Sequence, residues 1–150
     1  MKKITKKILA ALLATTMIFS MAACGGGKAE DDGLIKVGII NNDPNESGYR
    51  TANDKDMKAM FTEANGYSAQ FAYSLKNDEQ ITAAQKFIQD GVDYLLLSAA
   101  DTAGWDSVLQ DAKDAGVKVI LFDRTIDADP SLYEASIVSD MAKEGQTAVD

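Results

Sequence analysis

The sequence predicts an α/β fold, a doubly wound parallel sheet of strand order 2-1-3-4-5 with helices on both faces. Three observations carry that expectation. From Leu34 onward, short runs rich in apolar and β-branched residues alternate with longer stretches of helical period. Connections are short, and Gly66, Gly91 and Gly116 stand where helices should end. Most of the strand segments are apolar throughout, as strands buried on both faces are. Right-handed crossovers then leave few arrangements, of which 2-1-3-4-5 is the expected one.

The elements follow in chain order. Leu34–Ile40 reads as a buried first strand. A helix is expected from Gly48 to Asn65, with Met57, Met60, Phe61 and Ala64 forming an apolar stripe at i, i+3, i+4 and i+7. Tyr67, Ala69, Phe71 and Tyr73 alternate with more polar neighbours and make a second strand. Asn77-Asp78-Glu79-Gln80 reads as a helix start, with Asn77 as cap and Gln80 closing a capping box. Ile81, Ala84, Phe87 and Ile88 then line its buried face. Val92–Ser98 is the third strand. Asp101 or Thr102 is expected to cap a third helix carrying Trp105, Val108, Leu109 and Ala112 on one side. Val117–Phe122 is the fourth strand, a turn holds Asp129-Pro130, and Ala135–Val138 is a shorter fifth strand. Another helix starts at Met141.

Ahead of this domain lie Lys2, Lys3, Lys6 and Lys7, an apolar run from Ile8 to Phe19, and Met21-Ala22-Ala23. A basic start, an apolar centre and small residues at a cleavage point make a secretory signal. Cys24 directly after the small residues fits a bacterial lipoprotein signal, in which its thiol is acylated and it becomes the mature N-terminus. The alternatives are an ordinary signal with a chance cysteine, or an N-terminal membrane helix. The apolar run is short of the roughly 20 residues that a span needs. Gly25-Gly26-Gly27-Lys28-Ala29-Glu30-Asp31-Asp32 is a flexible polar leash. The expected organisation is a signal peptide over 1–23, a tether over 24–33 and one lobe over 34–140. Residues 141–150 would begin a crossover to a second lobe that the sequence does not contain.

Composition excludes several functions. The chain has 15 basic and 23 acidic residues and a net charge of −8. Without the four signal lysines, 11 basic residues face the 23 acidic ones, a net of −12. That argues against nucleic acid as a partner and against electrostatic attachment to anionic lipid, so membrane contact is expected through the lipid anchor alone. One cysteine precludes an internal disulfide. The absence of histidine removes Ser-His-Asp and Cys-His chemistry and the commonest zinc ligand. No catalytic, metal or cofactor residues are expected.

In open α/β sheets, ligands sit outside the carboxyl ends of the strands. There the sequence places Asn41 to Arg50 after strand one, and Ser98, Asp101, Trp105 and Asp106 after strand three. Asp123-Arg124-Thr125 follows strand four, and Ser139-Asp140 follows strand five. Acids, arginines and aromatics at a rim suit a small polyhydroxylated ligand: an aromatic face covers C–H groups, and planar bidentate groups pair vicinal hydroxyls. Each side chain also has a structural reading. Trp105 shares a helix face with Val108 and Leu109 and is either core or site. Tyr49 is either a rim contact or a surface aromatic, and Asp123-Arg124 either binds ligand or forms an ion pair. Asp101 and Ser139 read as helix caps. Asn53-Asp54-Lys55-Asp56 reads as a solvated face, since it lacks calcium-loop spacing.

Glu46-Ser47-Gly48-Tyr49-Arg50-Thr51-Ala52-Asn53, Thr102-Ala103-Gly104-Trp105-Asp106 and Asp123-Arg124-Thr125-Ile126-Asp127 together resemble the type I periplasmic sugar-binding proteins of ABC transporters. The galactofuranose-binding branch, with Glu-Ser-Gly-aromatic-Arg and a late Asp-Arg, is the best match. The resemblance covers Leu34 to about Asp140. It implies ligand contacts from Glu46, Ser47, Gly48, Tyr49, Arg50, Asp123 and Arg124, and a position near the site for Trp105. Tyr49 stands where the family often has Trp, which leaves the sugar less defined. It also implies a monosaccharide ligand held between two lobes, ABC permease subunits as partners, and an extracytoplasmic location. With one lobe, this chain is expected not to bind sugar at micromolar concentration. A sensory or autoinducer-binding module of the same fold, feeding a chemoreceptor or kinase, is the alternative. An enzyme using a carboxylate pair such as Asp106 and Asp123 is a third reading, unsupported by any nucleophile motif.

Overall fold

Five parallel strands form one sheet in the order β2-β1-β3-β4-β5, as predicted. The structure, a computed structural model, describes residues 33–149. Cys24, the expected signal and nearly all of the expected tether lie outside them. The strands are β1 (Ile35–Asn41), β2 (Tyr67–Tyr73), β3 (Tyr94–Leu97), β4 (Lys118–Phe122) and β5 (Ala135–Ile137). The helices are α1 (Gly48–Met60), α2 (Asn77–Gln89), α3 (Asp106–Asp114) and α4 (Met141–Val149). No helix among the described residues is long and apolar enough to cross a membrane.

The chain reverses direction across the sheet after β2, stepping first from β1 to β2 and then over β1 to β3. With the right-handed crossovers that parallel strands take, that reversal puts α1 on one face and α2 and α3 on the other. The α2–α3 face holds the main core. Phe87 and Ala84 from α2 and Val108, Leu109 and Ala112 from α3 pack with Ile40, Leu95, Leu97, Val119 and Leu121 of the sheet. α2 approaches β1 so closely that a Cβ on Gly38 would lie 2.5 Å from the Phe87 ring. Only glycine fits there.

Four helix ends differ from the sequence reading. The α1 helix ends at Met60 rather than Asn65, followed by a single 3-10 turn over Glu63–Asn65. Phe61 leaves helical geometry (φ −86°, ψ 72°), and its ring meets Tyr67 at the start of β2 edge-on at 5.1 Å. The Asn65 side chain donates to the Met60 carbonyl at 2.8 Å, closing the helix that it was expected to extend. Gly66 does take the expected left-handed conformation (φ 88°), but as the exit from the 3-10 turn.

At α2 the expected cap and capping box are not made. The cap position is Lys76, without a side-chain cap bond. Asn77 instead donates its amide to the Ala103 carbonyl at 2.9 Å, and the Gln80 side chain turns inward. The start is closed by Ser74, whose hydroxyl accepts from Lys76 N–H (3.0 Å) and donates to Glu79 (2.6 Å). Asp101 and Thr102 do not cap α3 either, which begins at Asp106. Asp101 accepts from Ala103 N–H in a local turn, and Thr102 donates to Asp127 at 2.7 Å, tying this loop to the one after β4. Before α4 it is Asp140, not Ser139, whose carboxylate accepts from Lys143 N–H at 3.1 Å.

Candidate functional site

The buried polar residues of the described chain are Asn41, Asn42, Arg50, Gln80 and Ser98. All lie at the carboxyl ends of β1 and β3 or on the first turn of α1 or α2. A buried polar group without a partner is costly, and all but one of the buried side-chain polar atoms in this group, Asn42 Nδ2, have a partner. Arg50 is its centre.

Arg50 is only 4% exposed and reaches four acceptors. One Nη donates to Asn41 Oδ1 at 3.2 Å and to Ser98 Oγ at 3.1 Å. The other pairs with Asp123 at 2.7 Å, and Nε lies 3.4 Å from Glu46. Ser98 in turn donates to the same Asp123 oxygen at 3.1 Å. The guanidinium therefore ties together the ends of β1, β3 and β4 and the start of α1. Two of its N–H donors thus make neutral hydrogen bonds, and two carboxylates balance its charge.

Local sequence explains the placement. Ser47 caps α1, its hydroxyl accepting from Arg50 N–H at 3.2 Å. Thr51 donates to the Pro44 carbonyl at 2.7 Å, closing the loop behind it. Asn41 donates to Asn53 at 2.8 Å, fixing the helix against the end of β1. Asp123 is the one described non-glycine residue with positive φ, at 66°. Its N–H is held by the Ile137 carbonyl at 2.9 Å and Arg124 N–H by the Phe122 carbonyl at 2.7 Å, a turn that aims the carboxylate at Arg50. A left-handed conformation costs an L-residue about 1–2 kcal/mol, and Asp is among the residues that tolerate it best.

The sequence-predicted residues separate into groups. Glu46, Arg50 and Asp123 meet directly. The Tyr49 ring lies 5.6 Å from the Arg50 guanidinium carbon and is 55% exposed at the rim. Its phenol is held above its ordinary pKa by burial, then by the charge of Asp123 and a hydrogen bond to it, with Arg50 opposing. It stays a protonated donor. Arg124 is outermost, its Nε 3.8 Å from Asp123. The Ser47 hydroxyl is engaged as the cap, and Gly48 opens the helix with free space around it.

Trp105 belongs to the hydrophobic core. It is 0% exposed, and its indole N–H donates to the Asp101 carbonyl at 3.0 Å. That bond ties the ring to the loop after β3. Asn41 and Ser98 are the partners that a motif reading misses. Their signal in the sequence is a polar residue at the end of an otherwise apolar strand.

Beside this cluster a cavity of about 580 Å³ opens between the loops after β3, β4 and β5. Ala99, Ala100, Asp101, Asp123, Arg124 and Ser139 are among its walls. Its size falls within the roughly 300–1,000 Å³ of small-molecule sites. The walls combine carboxylates, a guanidinium, a hydroxyl and short apolar side chains. Such walls can pair hydroxyls in a fixed geometry, and they hold no metal cluster: among the described residues no three His, Cys, Asp or Glu converge on one point.

Comparison with known proteins identifies the family of the fold. The family described as a periplasmic binding protein domain matches residues 37–149. The fructose import binding protein of Bifidobacterium longum is 35% identical over 139 residues, covering 89% of this chain and 42% of the relative. The galactofuranose-binding protein of Escherichia coli is 36% identical over 107 residues, 70% of this chain and 33% of the relative. This chain thus spans well under half the length of either. Among solved structures, a Mycobacterium smegmatis protein in complex with β-D-fucofuranose superposes with a TM-score of 0.70 at 39% identity, over 77% of this chain and 38% of that one. The fructose-binding periplasmic domain of a hybrid two-component system superposes with a TM-score of 0.63 at 27% identity, over 76% and 37%.

Proposed function

We propose that this chain, which belongs to the periplasmic binding protein family, recognises a monosaccharide outside the cytoplasm as part of an ABC importer. The observation that carries the reading is the Arg50–Asp123 pair, 2.7 Å apart, whose carboxylate lies in the wall of an open cavity at the carboxyl end of the sheet. A guanidinium and a carboxylate held rigidly together present donors and acceptors at the spacing of vicinal hydroxyls. Glu46, Tyr49 and Arg124 extend that surface to the rim, and Ser47 and Gly48 set the α1 start that carries it.

A furanose sugar is the ligand we favour, galactofuranose in particular. Support comes from relatives named for fructose and galactofuranose and a similar structure that holds a fucofuranose. The domain catalyses nothing. Cys24 is the lipid-modified residue that keeps it at the membrane, residues 24–33 are the tether, and permease subunits receive the sugar.

Calorimetry tests the site in the protein expressed from its intact gene, with methyl β-D-galactofuranoside and D-fructose as probes. Saturable binding is expected, weakened at least tenfold by Arg50→Ala and by Asp123→Ala. Unchanged affinity in both variants rejects this site. The likeness to a two-component sensor domain supports a second reading, in which the same lobe reports sugar to a kinase. Neighbouring permease and ATPase genes favour import, and a neighbouring kinase gene favours sensing.

A further inference from the structure

We propose that Gln80 is the positioning residue of the cleft, a single buried carboxamide that sets the spacing of the loops after β1, β2 and β3. The proposal rests on the sugar-recognition reading for its consequence, but not for its geometry. Gln80 is 1% exposed on the first turn of α2, a place where a polar side chain ordinarily faces water. Its Oε1 accepts from Ala100 N–H at 2.8 Å. Its Nε2 donates to the Ser74 carbonyl at 2.9 Å and lies 3.3 Å from the Ser98 carbonyl and 3.4 Å from Asn42 Oδ1.

Those four partners stand on three different connections. Ser74 follows β2, Ser98 and Ala100 follow β3, and Asn42 follows β1. Two of them are joined directly to the site: Ser98 carries the hydroxyl that bridges Arg50 and Asp123, and Ala100 is a wall of the cavity. The Asn42 side chain is buried, its Nδ2 has no partner, and its Oδ1 faces Gln80. An amide serves here because it alone offers an acceptor for Ala100 N–H and two hydrogens for carbonyl oxygens. A hydrophobic side chain of equal size would fill the space and leave the loops uncoupled.

The functional consequence is preorganisation. A ligand that needs one loop spacing binds with an affinity scaled by the fraction of molecules already in it. Gln80→Met keeps the volume and removes every hydrogen bond. If the competent spacing drops to about a tenth of the population, apparent affinity falls about tenfold. Arg50 and Asp123 stay in place, so the ligand contacts themselves are retained.

Hydrogen exchange on the ligand-free full chain tests the brace without any sugar. Gln80→Met is compared with Ala84→Gly, a change at a fully buried residue of the same helix, at a temperature where both are folded. The expected result is exchange at least tenfold faster across segments 41–46, 74–76 and 98–104 together in Gln80→Met. Ala84→Gly should leave those segments within about twofold of the parent. Equal acceleration in both variants, or acceleration confined to α2, overturns the proposal. Should Gln80→Met not fold, Gln80→Glu retains the acceptor for Ala100 N–H but places a carboxylate oxygen against the carbonyls. Protection at Ala100 with loss at 74–76 is expected, and uniform loss at both overturns it. In the protein expressed from its intact gene, Gln80→Met should bind methyl β-D-galactofuranoside about tenfold more weakly and Ala84→Gly within twofold. Equal weakening overturns the proposal, whereas no binding by the parent overturns the sugar reading and leaves the exchange result to decide on the brace.

Discussion

The helices on the two faces of the sheet bury opposite chemistry. α3 presents Val108, Leu109 and Ala112 to the core, and α2 adds Ala84 and Phe87. On the other face α1 buries one side chain, and it is Arg50. Apolar burial therefore lies mainly on one face, and the proposed recognition residue Arg50 on the other. Gln80, the polar exception on α2, is the point where the apolar layer reaches into the polar one. Mutations should divide along the same line, with the α2–α3 layer governing unfolding and α1 governing ligand affinity.

The largest effect is expected from Trp105→Ala, which removes a fully buried ring and leaves a cavity. It should cost about 3–5 kcal/mol in denaturant unfolding. A cost below about 1 kcal/mol would mean that α3 is not the stabilising layer. Arg50→Met should cost less in stability, about 2 kcal/mol, because Asp123 keeps some contact with solvent when its partner goes. It should nevertheless abolish detectable sugar binding, and intact binding would dissolve the division between the layers. Gly38→Ala drives a methyl group into the Phe87 ring and is expected to cost about 1–2 kcal/mol. A neutral result would show that α2 can slide along β1.

Glu79→Gln should give the smallest change, present at neutral pH and vanishing in acid. The bond from Lys76, then that from Ser74, holds the Glu79 carboxyl below its ordinary value of 4.5. A lowered folded value contributes stability above the unfolded value, and that contribution is lost as pH falls through the folded one. The acid limb of the stability curve should therefore be shallower in Glu79→Gln below about pH 4.5. Identical limbs would remove Ser74 and Glu79 from the account of how α2 starts.

Strand order, strand positions and the α2–α3 stripe were legible because each rests on periodicity that burial enforces. The departures share one cause. Polar residues have several possible partners, and tertiary contacts choose among them. Asn77 and Gln80 have the spacing of a capping box, yet neighbouring loops offer them Ala103 and Ala100 instead. Phe61 has the spacing of a helical stripe, yet Tyr67 draws it out of the helix. At the site, the sequence brought Glu46, Arg50 and Asp123 to notice but not the burial of Arg50. That burial depends on Asn41, at the end of the strand before α1, and on Ser98, distant in sequence just after β3. Trp105 shows the limit in the other direction, since a helix-face residue next to a motif is still a core residue when its ring points inward.

The left-handed backbone at Asp123 narrows what that position can become. Glycine and asparagine accept the backbone, and glutamate would keep the charge at the expense of the backbone. Aspartate alone meets both demands at once. Drift at this position therefore has no neutral path: every available exchange gives up either the turn after β4 or the counter-charge of Arg50. A homologue carrying asparagine or glycine here would have to hold its guanidinium by some other acid, and its ligand would meet a differently charged wall.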